Sequence, residues 1–264
     1  MTNVIEDYNE RNGFSVPRIL RTVFPRIRRS ITERGVLVSL RRSVLLPFHL
    51  VSEYREARRL SPTAQPNEFD LAHGVDTEGT HDGWTFLSDL EIPSANWIHG
   101  NNYTPIEPER FAFVMDMLPL HHPDFTFIDF GSGKGRALLL ASRYPFRRVI
   151  GIEFAHQLHA IAQKNLSTYP RRLMVCPEVE SVCQDFLEFT LPLQPLVLFL
   201  FDPCSEVVFG RLLQKIRAST LAHPRPLFLI YVAPARKAAL LDAADFLLKL
   251  ARNDDLDFLV YRNC

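Results

Sequence analysis

The stretch FTFIDFGSGKGR, Phe125 to Arg136, decides the fold. Phe125, Phe127, Ile128 and Phe130 make an apolar run of strand type, interrupted by one acid, Asp129. The run stops at Gly131, Gly133 and Gly135, and RALLLASR then begins, rich in Ala and Leu and so a good helix former. Strand, glycine turn and helix form the opening unit of a doubly wound α/β domain. Glycines at alternate positions let the backbone turn sharply and let a ligand approach with no Cβ in the way. The N–H groups at the start of the following helix are then donors aimed at that ligand.

The nature of the ligand turns on Asp129. A dinucleotide loop, GxGxxG, places a pyrophosphate at the helix start. Here the spacing is GxGxG, and Asp129 stands two residues before Gly131. A carboxylate there repels a pyrophosphate but suits a ligand that carries an ammonium and a sulfonium. A second acid, Glu153, ends the next apolar run, VIGIEF, where it can accept both hydroxyls of a ribose. A dinucleotide site, or a glycine turn with no ligand, are the competing readings. The stretch resembles motif I of the class I (seven-strand, Rossmann-like) S-adenosylmethionine (SAM)-dependent methyltransferases, and Glu153 matches that family's acid after the second strand. The resemblance implies SAM as cofactor and methyl transfer to an acceptor by in-line displacement. It also implies that Asp129 and the loop of Gly131, Ser132, Gly133 and Gly135 hold the methionine part, and that Glu153 holds the ribose.

A chain of 264 residues has room for one large or two small domains. Hydrophobic content of 47% with 23% charged residues places it among soluble globular proteins, and 20 Phe can supply a large core. Cys176, Cys183, Cys204 and Cys264 form no CxxC and no metal-ligand spacing, which points to reduced thiols in a cytoplasmic compartment. No N-terminal stretch resembles a signal peptide, and no apolar run reaches the roughly 18 residues a bilayer span needs. The net charge of zero hides an asymmetry. Residues 1–60 hold 12 Arg and 6 acids, so the remaining chain is acidic by the same margin.

This asymmetry suggests a basic helical extension and linker over residues 1–65, then a methyltransferase domain over 66–264. Within that domain, 66–102 reads as a lid-like irregular segment and 103–264 as the core. From Pro17 to Leu60 arginines and apolar residues interleave, with breaks near Pro25, Gly35 and Pro47, as in two or three short amphipathic helices. Their apolar faces can pack on the main domain or on a second subunit, making a homo-oligomer. Their arginines suit a membrane surface or the phosphates of a nucleic acid. SPTAQPN, residues 61–67, reads as a linker. From Phe69 to Gly100 the chain is acidic. Its His73, His81 and His99, beside Asp70, Asp76 and Asp82, match no tight metal spacing, and a loop closing over cofactor or substrate is the better reading.

Thr104-Pro-Ile-Glu107 predicts a helix start, with Thr104 as cap, Pro105 at the first helical position and Glu107 completing a capping box. That helix would run to about Leu118. The resemblance implies that Tyr103 and Thr104 touch the methionine end of SAM; Thr104 as a cap alone is the competing reading. Further on, strands are expected at 147–154, 179–183, 196–201 and 226–232, with helices at 155–165, 205–217 and 234–245. Val179–Cys183 leads into Gln184-Asp185-Phe186, where the family commonly has an acid for the adenine amino group. Asp185 and Phe186 are therefore adenine candidates, and a turn or cap Asp is the alternative. LVLFLF, a run suited to burial on both faces, ends in Asp202-Pro203-Cys204. Amino-group methyltransferases of this family often carry [DN]PP[YFW] there, and this chain has one proline and no aromatic. Asp202 is the catalytic candidate, able to orient or deprotonate an acceptor. FLLKLAR and DFLVYR flank Asn253-Asp254-Asp255 as a terminal hairpin, which this family has and a typical dinucleotide domain lacks.

Lys134 and Arg136 place cations at a helix N-terminus, against its dipole. Extension of both into solvent is the expectation, with contact to the SAM carboxylate or an acidic substrate as the alternative. The acceptor, small molecule or protein, is not legible. A non-catalytic scaffold and an NAD-dependent oxidoreductase are the other functions this sequence admits.

Overall fold

Alternation along the strands sorts their side chains into two cores, one on each face of a single sheet. In the computed structural model, which describes residues 68–79, 90, 92, 94, 96, 99–234 and 237–264, Phe127, Val149, Val197, Phe199, Phe228 and Ile230 point to one face. Ile128, Phe130, Ile150, Ile152, Leu198, Leu229 and Tyr231 point to the other. This is the period of two that a strand imposes. Because both faces are covered, the central strands read as continuous apolar runs.

The elements follow in order. Helix α1 spans Glu68–His73 and α2 Pro108–Asp116. Strand β1 (Thr126–Phe130) leads to α3 (Arg136–Ala141), and β2 (Arg148–Glu153) to α4 (His156–Thr168). Strands β3 (Val179–Cys183) and β4 (Leu196–Phe201) precede α5 (Glu206–Ala222). Strand β5 (Leu227–Val232), α6 (Ala238–Asp242), β6 (Leu247–Asn253) and β7 (Phe258–Asn263) complete the chain.

The seven strands form one sheet in the order β3-β2-β1-β4-β5-β7-β6. The first five are parallel, and β7 pairs antiparallel with both β5 and β6. Strand order reverses between β1 and β4, so a crevice opens at their C-terminal ends, where ligands bind in open α/β sheets. Below it, α2 packs through Phe111, whose ring lies 5.9 Å from Phe127 and 5.5 Å from Phe199. Tilted ring contacts of this kind add about 0.5–1.5 kcal/mol per pair beyond area burial.

Four expectations are corrected. Helix α2 starts at Pro108, with an extended Glu107 as N-cap and no side-chain cap bond, so Thr104 caps nothing. Pro108 forces the residue before it out of the helical region, so a helix begun at Pro105 cannot run through it. Residues 68–73 form a helix within the segment read as irregular. Of the helix expected over 234–245, the described residues show Ala238–Asp242, preceded by a turn in which Lys237 N–H donates to Pro234 O. Helices α4 and α5 run three and five residues past their expected ends, to Thr168 and Ala222. The readings made on residues 1–65, on the 61–67 linker and on His81 and Asp82 lie outside the described residues. No helix among the described residues is long and apolar enough to cross a membrane.

Candidate functional site

The glycine turn is built by its neighbours. Gly131 (φ 84°) faces the end of β4, and a Cβ on it would lie 2.7 Å from Pro203 Cβ. Gly133 (φ 54°) faces Tyr103, and a Cβ on it would lie 2.1 Å from two ring carbons. Beside the turn, at the ends of β1 to β4, is a small cleft lined by Gly131, Ile152, Phe154, Asp185, Phe186 and Pro203.

The carboxyls expected at the ends of β1, β2 and just after β3 lie on adjacent strands, and of the three Asp185 lines this cleft. Asp129 and Glu153 are both buried at 4% exposure. Burial first, and then the Glu153 charge, push the Asp129 carboxyl up to about 8. Burial raises Glu153 to about 7, against the pull of backbone N–H donors that favour its ionised form. Those donors are specific: Gly133 N–H donates to Glu153 Oε2 and Ala155 N–H to Oε1, each at 2.8 Å. Glu153 therefore ties the glycine turn to the start of α4. Asp185 accepts from Ser94 Oγ at 2.6 Å, Asn96 Nδ2 at 2.7 Å and Leu187 N–H at 2.8 Å. The Phe186 ring packs edge-on against Phe130, 5.7 Å away.

The loop N–H groups are less available than the sequence suggests. Gly131 and Ser132 N–H both donate to Ile152 O, and Gly135 N–H to Ser132 O. A buried peptide donor takes the acceptor at hand, and β2 supplies one. The Ser132 hydroxyl is buried with no hydrogen-bond partner among the described residues and lies against Gly151, where a Cβ would meet it at 2.7 Å. Tyr103 stands over the loop, with its hydroxyl donating to Thr77 O at 2.6 Å. Burial raises its phenol well above the ordinary range, against the Arg136 charge, so it stays a donor. Thr104, beside it, is half-buried.

Asp202 sits at the rim with φ 38°, a left-handed conformation that Asp tolerates better than most residues. Its Oδ1 accepts from Tyr231 OH at 3.0 Å and from the Lys237 ammonium, and its Oδ2 from Asn101 Nδ2 at 3.0 Å. Asn101 N–H also donates to Pro203 O at 3.1 Å. The Asp and Pro acceptors after β4 are thus engaged by the chain itself. Burial and then the Asp202 charge raise the Tyr231 phenol far above its ordinary range.

Lys134 and Arg136 do not extend into solvent. Their exposures are 2% and 4%, and their partners are Asp76, Thr77, Asp70 and Glu78. Cations in a crowded, dipole-opposed place are retained because carboxylates from another segment neutralise them. Sequence reasoning missed Thr77, Asn165 and Lys237; the two cations at a helix start were the one signal that acids must come from elsewhere. Among the described residues no group of three or more His, Cys, Asp or Glu is placed to hold a metal.

No protein-family model matches the chain, and no curated protein does. Solved structures do. An RNA methyltransferase from Salinibacter ruber, in complex with S-adenosyl-L-homocysteine, is 21% identical over 60% of this chain and 92% of its own, with a TM-score of 0.39. A magnesium protoporphyrin IX methyltransferase from Synechocystis with bound SAM is 16% identical over 59% of this chain and 77% of its own, at 0.38. A mitomycin 7-O-methyltransferase is 16% identical over 59% of this chain and 53% of its own, at 0.43. These likenesses are too distant to carry a substrate over, and the fold rests on the chain's own strand order and register. Five parallel strands closed by an antiparallel β6–β7 hairpin give the α/β, Rossmann-like sheet that the resemblance to class I SAM-dependent methyltransferases implies.

Proposed function

We propose that this chain is a SAM-dependent methyltransferase whose acceptor is unidentified. One observation carries the reading: Asp129 and Glu153, buried on adjacent strands, and Asp185, which lines the cleft, stand at the point where strand order reverses. The site fits the cofactor. Gly131 and Gly133 let Pro203 and Tyr103 close onto the turn, and the cleft beside them has apolar walls in Ile152, Phe154 and Phe186. An acidic site of this kind favours a cation over a pyrophosphate.

When bound, SAM supplies a methyl group on a positively charged sulfur. Asp129, once ionised, would offset the ligand's positive charge, and Glu153 and Asp185 would take the ribose and the adenine. Phe154 and Phe186 line the cleft with apolar surface, and water they displaced there would leave each polar contact stronger. Asp202 has its charge matched by Lys237, so it can orient an acceptor N–H or O–H more readily than it can remove a proton.

Calorimetric titration of the full chain with SAM, S-adenosylhomocysteine and NAD tests the reading. Micromolar binding of both adenosyl ligands to the wild type and its loss in Asp129→Ala support it. A folded protein that binds neither refutes it; NAD binding in their place would make the chain an oxidoreductase. The internal partners of Glu153 and Asp185 favour one other reading, a non-catalytic scaffold on the same fold, and that reading predicts no adenosyl binding at all.

A further inference from the structure

Lys134 and Arg136 flank Gly135, the N-cap of α3, and the first turn of α3 holds no acid to match them. Buried Lys and Arg are rare unless paired. Their partners come from residues 70–78, some 58 to 66 positions upstream. Lys134 Nζ meets Asp76 Oδ1 at 2.7 Å. Arg136 Nη2 lies 3.4 Å from Asp70 Oδ1 and 3.5 Å from Glu78 Oε1, its Nε donates to Thr77 Oγ1, and its guanidinium stacks 4.6 Å over Phe69.

This upstream segment is folded as a strap. Asp70 accepts from Thr77 N–H at 2.7 Å and Glu78 N–H at 3.0 Å, closing the chain after α1. Asn165 of α4 pins the strap to the glycine loop: it accepts from Asp76 N–H at 2.9 Å and donates to Asp76 O at 2.7 Å and Lys134 O at 2.8 Å. Fully buried Thr77 then offers its carbonyl to Tyr103 OH, and the Tyr103 ring covers Gly133. Tyr103 does not line the cleft that Asp185 and Phe186 share. The strap therefore acts on one end of the loop only.

We propose that Arg136 is a positioning residue for the amino-acid end of the cofactor. It docks the strap, which fixes Thr77, and Thr77 holds Tyr103 against Gly133. The inference rests on the methyltransferase reading. A buried ion pair that only stabilised the fold could be exchanged for apolar packing with no consequence for ligand choice. A positioning pair cannot, because it sets where Tyr103 lies.

Two probes separate the ends of the ligand. S-adenosylhomocysteine carries the amino-acid end, and 5′-methylthioadenosine has the same adenosine thioether without it. In the full chain, Arg136→Met should weaken S-adenosylhomocysteine roughly tenfold or more, the scale of a lost charge-assisted hydrogen bond, and leave methylthioadenosine within about twofold. Arg136→Lys, which keeps the charge and loses the fork, should fall between. Tyr103→Phe keeps the ring and the fold, loses only the Thr77 bond, and should weaken S-adenosylhomocysteine alone. Hydrogen exchange should show residues 68–79 opening faster in Arg136→Met. Equal loss of both ligands, or no loss of either, in Arg136→Met and Tyr103→Phe would overturn the proposal. A wild-type chain that binds neither ligand would overturn it together with the function beneath it.

Discussion

The Tyr103 ring occupies the place where a side chain on Gly133 would begin, with two ring carbons 2.1 Å from the position of a Cβ. Gly133 is thus required twice over, by its φ of 54° and by the aromatic ring that covers it.

Gly133→Ala should destabilise the protein by about 2–4 kcal/mol, from the left-handed backbone and from overpacking together. In a Tyr103→Ala background the steric part vanishes and only about 1–2 kcal/mol of backbone strain remains. Urea denaturation of the four proteins of this cycle measures the coupling. Additive effects would mean that Tyr103 does not lie on the loop.

Gly151, in the middle of β2, is bounded by Leu138 Cδ1 at 2.5 Å and Ser132 Oγ at 2.7 Å from a Cβ position. Gly151→Ala should cost about 1–3 kcal/mol by overpacking. Ser132→Ala in the same chain should recover part of it, read as a higher thermal midpoint than that of the single variant.

Asp129 and Glu153 make stability fall as pH rises. Their folded carboxyls titrate near 8 and 7, above the ordinary values of 3.8 and 4.5. Between about pH 4 and 8 the folded chain therefore holds protons that the unfolded chain has released, and each step up in pH favours unfolding. The urea midpoint should drop most steeply between about pH 5 and 7, and Asp129→Asn should flatten the drop. Adenosyl-ligand affinity should move the other way, rising toward and through pH 8 as Asp129 gains the charge that pairs with a cation. A pH-independent affinity in calorimetry would count against Asp129 as the residue that offsets the ligand's charge.

Lys237→Met should cost about 1–3 kcal/mol, a discounted value for a pair whose acid is partly solvated, because it strands the Asp202 carboxylate beside the Tyr231 hydroxyl. Lys237→Met with Asp202→Asn should be less destabilised than the sum of the two, since the second change removes the stranded charge. Thermal melts of the three variants give the answer.

Much of the sheet was legible. Leu196–Phe201 lies where its apolar run begins and ends, as does Leu227–Val232 within one residue, and the β6–β7 hairpin turns at the Asn253–Asp255 stretch. Such runs are readable because burial on both faces leaves little room for polar residues. The start of α2 was misplaced since two prolines, Pro105 and Pro108, compete for the first helical position, and the helix begins at the second, after an extended Glu107.

By itself the sequence determined the strand–glycine–helix unit, the acids that end β1 and β2, and the terminal hairpin, because these are written in local periodicity and in glycines that have no substitute. Only the tertiary structure decided what the polar groups do. Lys134 and Arg136 find Asp76, Asp70 and Glu78 across more than fifty residues of chain, Glu153 turns back onto Gly133 N–H, and Lys237 reaches Asp202. The reason is physical. Apolar burial follows a periodicity visible in any short window, whereas a buried charge needs one particular partner, and folding alone brings that partner within reach.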